Sequence, residues 1–476
     1  MHLRFNYPNY YCLLRMNKVI LFSLFLISGS SIYGQNDSTL VHLPKLKLRS
    51  LTAAAEVASV NILINRVDAW VRGLDWAKVT PQHWYDNLHT GFDTDGDAFT
   101  TNFFSHPYHG SIFFNSARSN GSSFWGSIPY VLAGSWTWEY FGETYPPSEI
   151  DWNTTTLGGI YLGEITHRLT SHLLQNDKAR SYKILRNIGA SILNPMAQIN
   201  SILYSDTRLD YRSSDLIHFP IRSQFSMGFS HILTPEPDFV SSSYLHMNYS
   251  FIYGDLFDGS DTYRPFDFFI IRTWLDVNSL NDFEKNYLNL TSHSPVWRYN
   301  NSEQNLFTVS SHYAFIHNPI FKIGSISLTA DYHFNSEHEN YSLMSGVKFG
   351  PILFGSANSE VVEVIEKFEE DDGEFLRDYV YGRGLMIELE MLVVTKKYGR
   401  LISSFNNWLI YTQRDTPGTE RNAIYKLEYY LPIWNNWGLG VEFFHYQRAA
   451  HYNDYPEYQN IRKSYSDIKF LSSFTF

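Results

Sequence analysis

The stretch DIKFLSSFTF, residues 467–476, ends the chain and decides its fold class. Apolar and polar side chains alternate along it. One face carries Ile468, Phe470, Phe474 and Phe476, with Ser472 among them, and the other carries Asp467, Lys469, Ser473 and Thr475. A period of two is the pattern of a β-strand with one apolar and one polar face. The end of the chain is therefore predicted to be an amphipathic strand.

The same alternation recurs upstream from about residue 220. It is clearest in YLHMNYSFIY (244–253), ISLTADYHF (326–334), LMIELEMLV (385–393) and YKLEYYL (425–431). A soluble β-sandwich would also alternate, but a final strand ending in phenylalanine resembles the assembly signal of bacterial outer-membrane proteins. We therefore predict a membrane β-barrel of about 12 antiparallel strands, to within about two. The alternation fails across 278–304, which leaves the strands there unassigned.

Composition agrees with a barrel. The 476 residues include 34 Tyr and 35 Phe, and only 18% of them are charged. With a mean hydropathy of −0.27, the chain is polar on average, unlike a helical membrane protein. Abundant Tyr and Phe suit the aromatic girdles of a membrane barrel. The net charge of −11 and the lack of a basic stripe argue against nucleic acid as a partner.

The N-terminal residues predict export. VILFSLFLISGSSIYG, residues 19–34, is a short apolar core followed by small residues, which is typical of a secretory signal peptide. We expect cleavage after Gly34, with residues 1–15 as a misannotated upstream start. Cys12, the only cysteine, precedes the mature chain, which excludes disulfides and cysteine-based zinc sites. The predicted location is the outer membrane of a Gram-negative envelope.

Four regions follow from these patterns. A signal peptide is expected at 1–34, a helical or linker region at 35–92, a helical domain rich in polar clusters at 93–205, and the barrel at 206–476. Segments 122–142, 156–175 and 178–200 have helical patterns, and Pro129 is expected to bend or start a helix. The helical region is predicted to act as a plug in the barrel lumen or to lie in the periplasm.

The segment 93–168 holds the candidate functional residues. They occur in DTDGDAFTTNFFSHPYHGS, SARSNGSSFWGS, GSWTWEYFGETYPPSEIDW and GGIYLGEITHRL. These motifs resemble an uncharacterised bacterial family, domain of unknown function 3943, over about residues 93–175. The resemblance implies kinship and an envelope location but no activity.

Two roles are open for this cluster. In the first, the segment is an acid–base site of a hydrolase acting on envelope lipid, in which a histidine is the base, a carboxylate orients it, and Ser135 or Ser148 is the nucleophile. Its candidate catalytic residues are His106, His109, Glu139, Asp151 and Glu164. In the second, the cluster is a buried polar seam that fixes the helices, with Arg118, Glu143 and Arg168 as its structural network. Because Glu139 and Glu143 share a helical face, we expect Arg118 and Arg168 to be their partners.

A metal site is less well supported. DTDGD lacks the glycine and the final glutamate of an EF-hand, so an Asx-rich turn is the simpler interpretation, although a looser Ca²⁺ site is not ruled out by these residues. Glu164 and His167 have the Glu-x-x-His spacing of di-iron bundles without the second copy that such bundles need. We therefore predict no cofactor and no metal ligand set.

Three functions follow. The first is a barrel whose helical region is a structural plug in envelope transport or architecture, the second is the lipid hydrolase, and the third is a binding protein that uses its outer loops. The acidic loop 366–375 could bridge cations to lipopolysaccharide, although charge runs are usually only solvated. Expected partners are outer-membrane lipid, lipopolysaccharide and, through the strand ending at Phe476, the barrel assembly machinery.

Overall fold

The computed structural model describes residues 48–476 except 95, 176–182, 205–220, 234–242, 259–262, 279–285, 301, 303, 360, 362–376 and 415. The predicted signal peptide, Cys12, Asp95 and the acidic loop 366–375 lie outside the described residues. The chain divides into a helical unit, Met1–Asp95 with Thr100–His218, and a barrel unit, Gly96–Phe99 with Phe219–Phe476.

The described part of the helical unit consists of α-helices joined by short turns. They are α1 (Ser50–Arg66), α2 (Pro81–Thr90), α3 (His106–Ser119), α4 (Phe124–Phe141), α5 (Glu149–Asn153), α6 (Gly159–Gln175), α7 (Lys183–Leu193) and α8 (Pro195–Leu203). One-turn π-helices, Val67–Val71, Thr101–Ser105 and Thr154–Gly158, extend α1 and precede α3 and α6. Among the described residues, none of the helices is long and apolar enough to cross a membrane.

Side-chain caps explain where several of these helices begin. The Thr80 hydroxyl accepts a hydrogen bond from the His83 amide, and Pro81 occupies the first turn of α2. Ser123 caps α4 in the same way, through the Gly126 amide. Pro129 lies inside α4, so the helix predicted over 122–142 is present as Phe124–Phe141 and continues through the proline.

Two glycines let α3 lie directly against the turn that leads into α6. A Cβ atom on Gly110 would lie 1.9 Å from the Thr155 carbonyl oxygen, and one on Gly159 would lie 2.5 Å from the Gly110 Cα. No side chain fits at such a distance, so the Gly158–Gly159 pair of the motif GGIYLGE is a packing requirement. This close approach brings the polar residues of α3 and α6 together.

The barrel unit is a closed antiparallel barrel of twelve strands, each paired with its neighbours in sequence, with β1 paired to β12. This confirms the predicted fold class and strand number. The strands are β1 (Ile221–Ile232), β2 (Ser243–Tyr253), β3 (Phe269–Val277), β4 (Tyr287–Asn300), β5 (Asn305–His317), β6 (Lys322–Glu337), β7 (Tyr341–Asn358), β8 (Tyr379–Thr395), β9 (Gly399–Thr412), β10 (Gly418–Trp434), β11 (Trp437–Tyr452) and β12 (Ile461–Thr475).

Burial along the strands follows the period of two. On β6, Leu328 and Tyr332 are 37% and 38% exposed, whereas Asp331 between them is 3% exposed. On β8, Leu389 is 40% exposed and Glu388 is 8% exposed. The apolar side chains therefore face outward and the charged ones face the interior. That arrangement is the reverse of a soluble protein and is typical of a membrane barrel.

Strand β4 occupies much of the segment where alternation fails. Its pairing with β5 shifts register between Pro295 and Trp297, which marks a β-bulge. A bulge adds one residue and reverses the facing of all that follows, so a strict period of two is lost in the sequence.

Candidate functional site

In the helical unit, Glu164 on α6 is held by two arginines. Arg118 on α3 donates from Nε and Nη2 to the two carboxylate oxygens, at 2.8 and 3.1 Å. Arg168, one turn after Glu164, donates from Nε to Oε1 at 2.9 Å. Glu164 is fully buried and Arg168 is 2% exposed. Arg118, Glu164 and Arg168 thus form a buried ion-pair network, which we call the arginine seam.

The arginine seam differs from the pairing expected from the sequence. Arg118 and Arg168 were expected against Glu139 and Glu143, and the structure places both arginines on Glu164. The reason is packing, since the glycine contact between α3 and the start of α6 sets Arg118 beside Glu164. Glutamates at i and i+4 on one helix do not reveal which other helix supplies their partner.

Glu139 and Glu143 bind groups close to them in the chain. Glu139, 1% exposed, accepts the backbone N–H of Ser148 through Oε2 at 2.9 Å. Glu143 accepts the indole N–H of Trp138 at 2.7 Å. These bonds hold the turn between α4 and α5, so Glu139 and Glu143 are hydrogen-bonded within their aromatic surroundings.

His106 and Asp151 lie close enough for acid–base chemistry. His106 Nε2 is 3.4 Å from Asp151 Oδ2, and His106 Nδ1 is 3.2 Å from the Thr155 hydroxyl. Both side chains are buried. Of the two predicted nucleophiles, the Ser148 hydroxyl accepts the Asp151 amide as the cap of α5, and Ser135 is fully buried. The pair His106–Asp151 has the geometry of a base and its orienting carboxylate. Neither serine is placed as a nucleophile, because Ser148 caps a helix and Ser135 is buried.

The other histidines of the segment are neutral packing residues. His109 contacts the rings of Phe113 and Trp138, with centroid distances of 4.5 and 4.9 Å. Burial, aided by the nearby His106, lowers the pKa of His109 to about 3. Burial and then the charges of the two seam arginines lower the pKa of His167 well below its usual value. Both imidazoles are therefore neutral at physiological pH, and His109 packs on aromatic rings.

The interior of the barrel holds a second polar cluster, which sequence analysis did not single out. Inward side chains of strands β3, β7, β8 and β10 form three ion pairs, which together we call the lumen belt. The pairs are Arg272–Glu390, Lys348–Glu388 at 2.8 Å and Lys426–Glu428 at 3.0 Å. Four of these six residues, Arg272, Lys348, Glu388 and Lys426, line a cavity of about 50 Å³, which has room for one or two water molecules. The sequence does contain a sign of this cluster. In ELE (388–390) and KLE (426–428) the charged residues are two apart, so those of each strand lie on one face, the one opposite the apolar residues.

Near the lumen belt, histidines gather around Asp331. His293 Nε2 lies 3.2 Å from Asp331 Oδ2, and His333 Nε2 lies 3.8 Å from the same oxygen. The rings of His293 and His312 are 4.7 Å apart. These residues come from β4, β5 and β6, which are adjacent in the barrel, and all are buried.

Part of the helical unit matches a known protein family. Residues 91–196 match the family described as Domain of unknown function (DUF3943). This match confirms the resemblance seen in the sequence. The DUF3943 segment, residues 91–196, contains the arginine seam and the His106–Asp151 pair. No curated protein matches the chain.

Solved structures with similarity to this chain are outer-membrane channels. An outer membrane channel from Pseudomonas putida F1 has 10% identity and a TM-score of 0.25, with 54% of this chain and 94% of that one covered. The outer membrane channel DcaP of Acinetobacter baumannii has 9% identity and a TM-score of 0.21, over 54% and 97%. A mutant porin from Rh. blastica has 6% identity and a TM-score of 0.18, over 54% and 100%. The barrel assignment itself rests on the strand pairing of this chain.

Proposed function

We propose that this chain is an integral outer-membrane barrel whose lumen is closed at rest by its own paired charges, and that it serves envelope transport or architecture. The lumen belt is the observation that carries the proposal. Two of its ion pairs join different strands, Lys348–Glu388 between the neighbours β7 and β8 and Arg272–Glu390 between β3 and β8, and Lys426–Glu428 lies along β10. Charges withdrawn from water are costly unless they are paired, so such pairs tend to persist until something displaces them.

A second network supports a closed interior. His246 Nδ1 lies 2.5 Å from Asp276 Oδ1, and Lys469 Nζ is 3.5 Å from the same oxygen and 3.4 Å from Asp467. The Tyr244 hydroxyl donates to Asp467 at 2.8 Å. All five side chains are buried. Opposite charges thus neutralise one another inside the barrel, whereas an open aqueous pore leaves its charges solvated.

For the helical unit, we propose a structural role as a plug or lumen element. The arginine seam gives it a rigid core, as such a role requires. The segment Gly96–Phe99 groups with the barrel, where the Phe99 ring lies 5.1 Å from Phe315 and 5.7 Å from Tyr379. The hydrolase remains the alternative, since only the His106–Asp151 pair favours it.

Single-channel recording on the purified full-length chain in planar bilayers tests the closed lumen. We expect the wild-type barrel to insert without steady conductance, because the lumen belt fills the interior. Arg272→Ser with Glu390→Ser removes one pair and two large side chains while conserving net charge. We expect this variant to conduct, with an ionic current at least about 10-fold above that of the wild type.

The matched control is Asp75→Ser with Lys78→Ser, which removes an exposed ion pair in the helical unit. It should behave as the wild type. A steady open conductance in the wild-type protein at low voltage would contradict the proposal, as would equal currents in the two double variants. Assembly is checked in every case by the heat-dependent mobility of the barrel in gels.

A further inference from the structure

Three strands of the barrel bring together two imidazoles and a carboxylate. His293 of β4 pairs in register with His312 of β5, and Asp331 of β6 pairs with Thr308 of β5. One ligand atom from each of His293, His312 and Asp331 lies within 4.8 Å of the other two. We call these three residues the His–His–Asp site. None of them belongs to the DUF3943 segment.

The spacing is close to that of ligands around one metal ion. Zinc–nitrogen and zinc–oxygen bonds of about 2.0–2.2 Å place tetrahedral ligands roughly 3.3–3.5 Å apart. His293 Nε2 and Asp331 Oδ2 are already 3.2 Å apart. A ring nitrogen of His312 lies within 4.8 Å of both atoms and would have to move closer to bind the same ion. His333 Nε2, 3.8 Å from Asp331 Oδ2, is a further nitrogen beside the site.

Neighbouring groups hold the site residues in the way that outer-shell groups hold metal ligands. The Thr329 hydroxyl donates to Asp331 Oδ1 at 2.5 Å, and the Thr308 hydroxyl donates to Oδ2 at 2.9 Å. His312 Nε2 is 2.7 Å from the same Thr329 hydroxyl, and its Nδ1 is 3.9 Å from Glu388 Oε2, beyond hydrogen-bond distance. Metal-bound carboxylates and imidazoles are commonly oriented by hydroxyl groups and carboxylates of this kind.

Charge distribution also favours a cation. The lumen belt balances three basic residues with three acidic ones. Among the described residues, Asp331 has hydroxyl and imidazole partners and no Lys or Arg nitrogen within ion-pair distance. Lys348 acts on Asp331 only at longer range and forms its ion pairs with Glu388 and Glu390, so a bound cation would give the buried Asp331 carboxylate a positive charge in direct contact.

We propose that the His–His–Asp site binds one divalent transition-metal ion of the zinc class inside the barrel. Two imidazoles and one carboxylate are the ligand set that Zn²⁺ and Co²⁺ accept, whereas Ca²⁺ and Mg²⁺ prefer oxygen ligands alone. The ion ties β4, β5 and β6 together from within. This site does not depend on whether the lumen conducts.

Titration of the full-length chain with Co²⁺ tests the site. Purified protein in detergent is first stripped with EDTA, and the visible absorption of Co²⁺ is followed, with Zn²⁺ added afterwards as a competitor. We expect one Co²⁺ per chain, with the intense absorption of a four-coordinate nitrogen–oxygen site, and its loss on adding Zn²⁺. A wild-type chain that gives no such absorption overturns the proposal, and this measurement needs no variant to fold.

Variants locate the ion. Asp331→Asn and His312→Gln should each weaken Co²⁺ binding at least about 100-fold, since each removes a ligand, and Thr329→Val should weaken it about 10- to 100-fold by freeing the carboxylate. His231→Asn, an exposed position on β1, is the matched control and should bind as the wild type does. If Asp331→Asn or Thr329→Val assembles and binds Co²⁺ as tightly as the control, the ion lies elsewhere and the proposal fails.

Discussion

Replacing Glu164 by Gln should destabilise the helical unit by about 3–5 kcal/mol, because Arg118 and the buried Arg168 would both lose the carboxylate charge that they bind. Glutamine keeps the size of the side chain and one acceptor oxygen, so the lost carboxylate charge dominates the change. Arg118 is 15% exposed at its side chain and can turn toward water, whereas Arg168 at 2% cannot. Hydrogen exchange of the α6 amides measures the effect, and we expect exchange to accelerate at least about 100-fold.

The control for Glu164→Gln is Asp75→Asn, which breaks an ion pair whose aspartate side chain is 94% exposed. It should cost less than about 1 kcal/mol. A second variant, Glu164→Gln with Arg168→Met, removes the buried charge on both sides and should recover part of the loss. If Glu164→Gln changes α6 exchange no more than Asp75→Asn does, the arginine seam does not stabilise the helical unit.

Replacing Leu389 by Arg should destabilise the barrel by about 2–4 kcal/mol. Leu389 lies near the middle of β8, faces outward, and pairs in register with the apolar residues Val347 and Phe405. If lipid surrounds this face, the guanidinium must be buried in hydrocarbon or drawn to the interface at a cost. Urea unfolding of the full-length chain in lipid vesicles, followed by the β-sheet circular dichroism of the barrel, measures the loss.

Tyr398→Arg is the control for the lipid-facing position. Tyr398 is 62% exposed in the turn between β8 and β9, where interfacial water can solvate a charge, and the expected cost is about 0–1 kcal/mol. A Leu389→Arg chain that is as stable as Tyr398→Arg would mean that water, not lipid, covers the middle of β8.

The barrel was largely predictable because facing alternates residue by residue. On β6 and β8, the sequence alone assigns Leu328 and Leu389 outward and Asp331 and Glu388 inward, as observed. The period is interrupted at bulges, such as the one near Pro295 in β4 and the register shift between Ile352 and Gly355 in β7. Alternation predicts which way each side chain faces only while the strand pairing is uninterrupted. A bulge reverses the facing of the residues after it, and the local sequence pattern does not reveal where a bulge occurs.

The sites were less predictable because they depend on register and helix packing. Arg118 and Glu164 are 46 residues apart, and the packing of their two helices, which includes the close contact between Gly110 and Gly159, brings them together. In the barrel, Glu388 meets Lys348 because β7 and β8 pair at that register. Parity places a side chain in the lumen, but its neighbours there follow from the stagger of the strands.

The partners of the buried charged groups bear on the function of each unit. In the helical unit, Glu164 is satisfied by arginines, and Glu139 accepts the Ser148 amide, so most of the candidate catalytic residues have a structural explanation. Only His106 and Asp151 keep the geometry of an acid–base pair. In the barrel, the charges of the lumen belt form matched pairs, as the proposed closed lumen requires.

The central claim is that the barrel turns its apolar side chains toward lipid and its charges toward a closed interior. Spin labels at single cysteines across 385–391 test it most directly, because Cys12 is the only native cysteine and precedes the predicted mature chain. We predict that labels at 385, 387, 389 and 391 in vesicles collide with lipid-soluble oxygen but not with a water-soluble nickel complex, and that labels at 386, 388 and 390 are shielded from both. Access of the nickel complex to the odd-numbered positions, or the absence of any alternation, would contradict the claim.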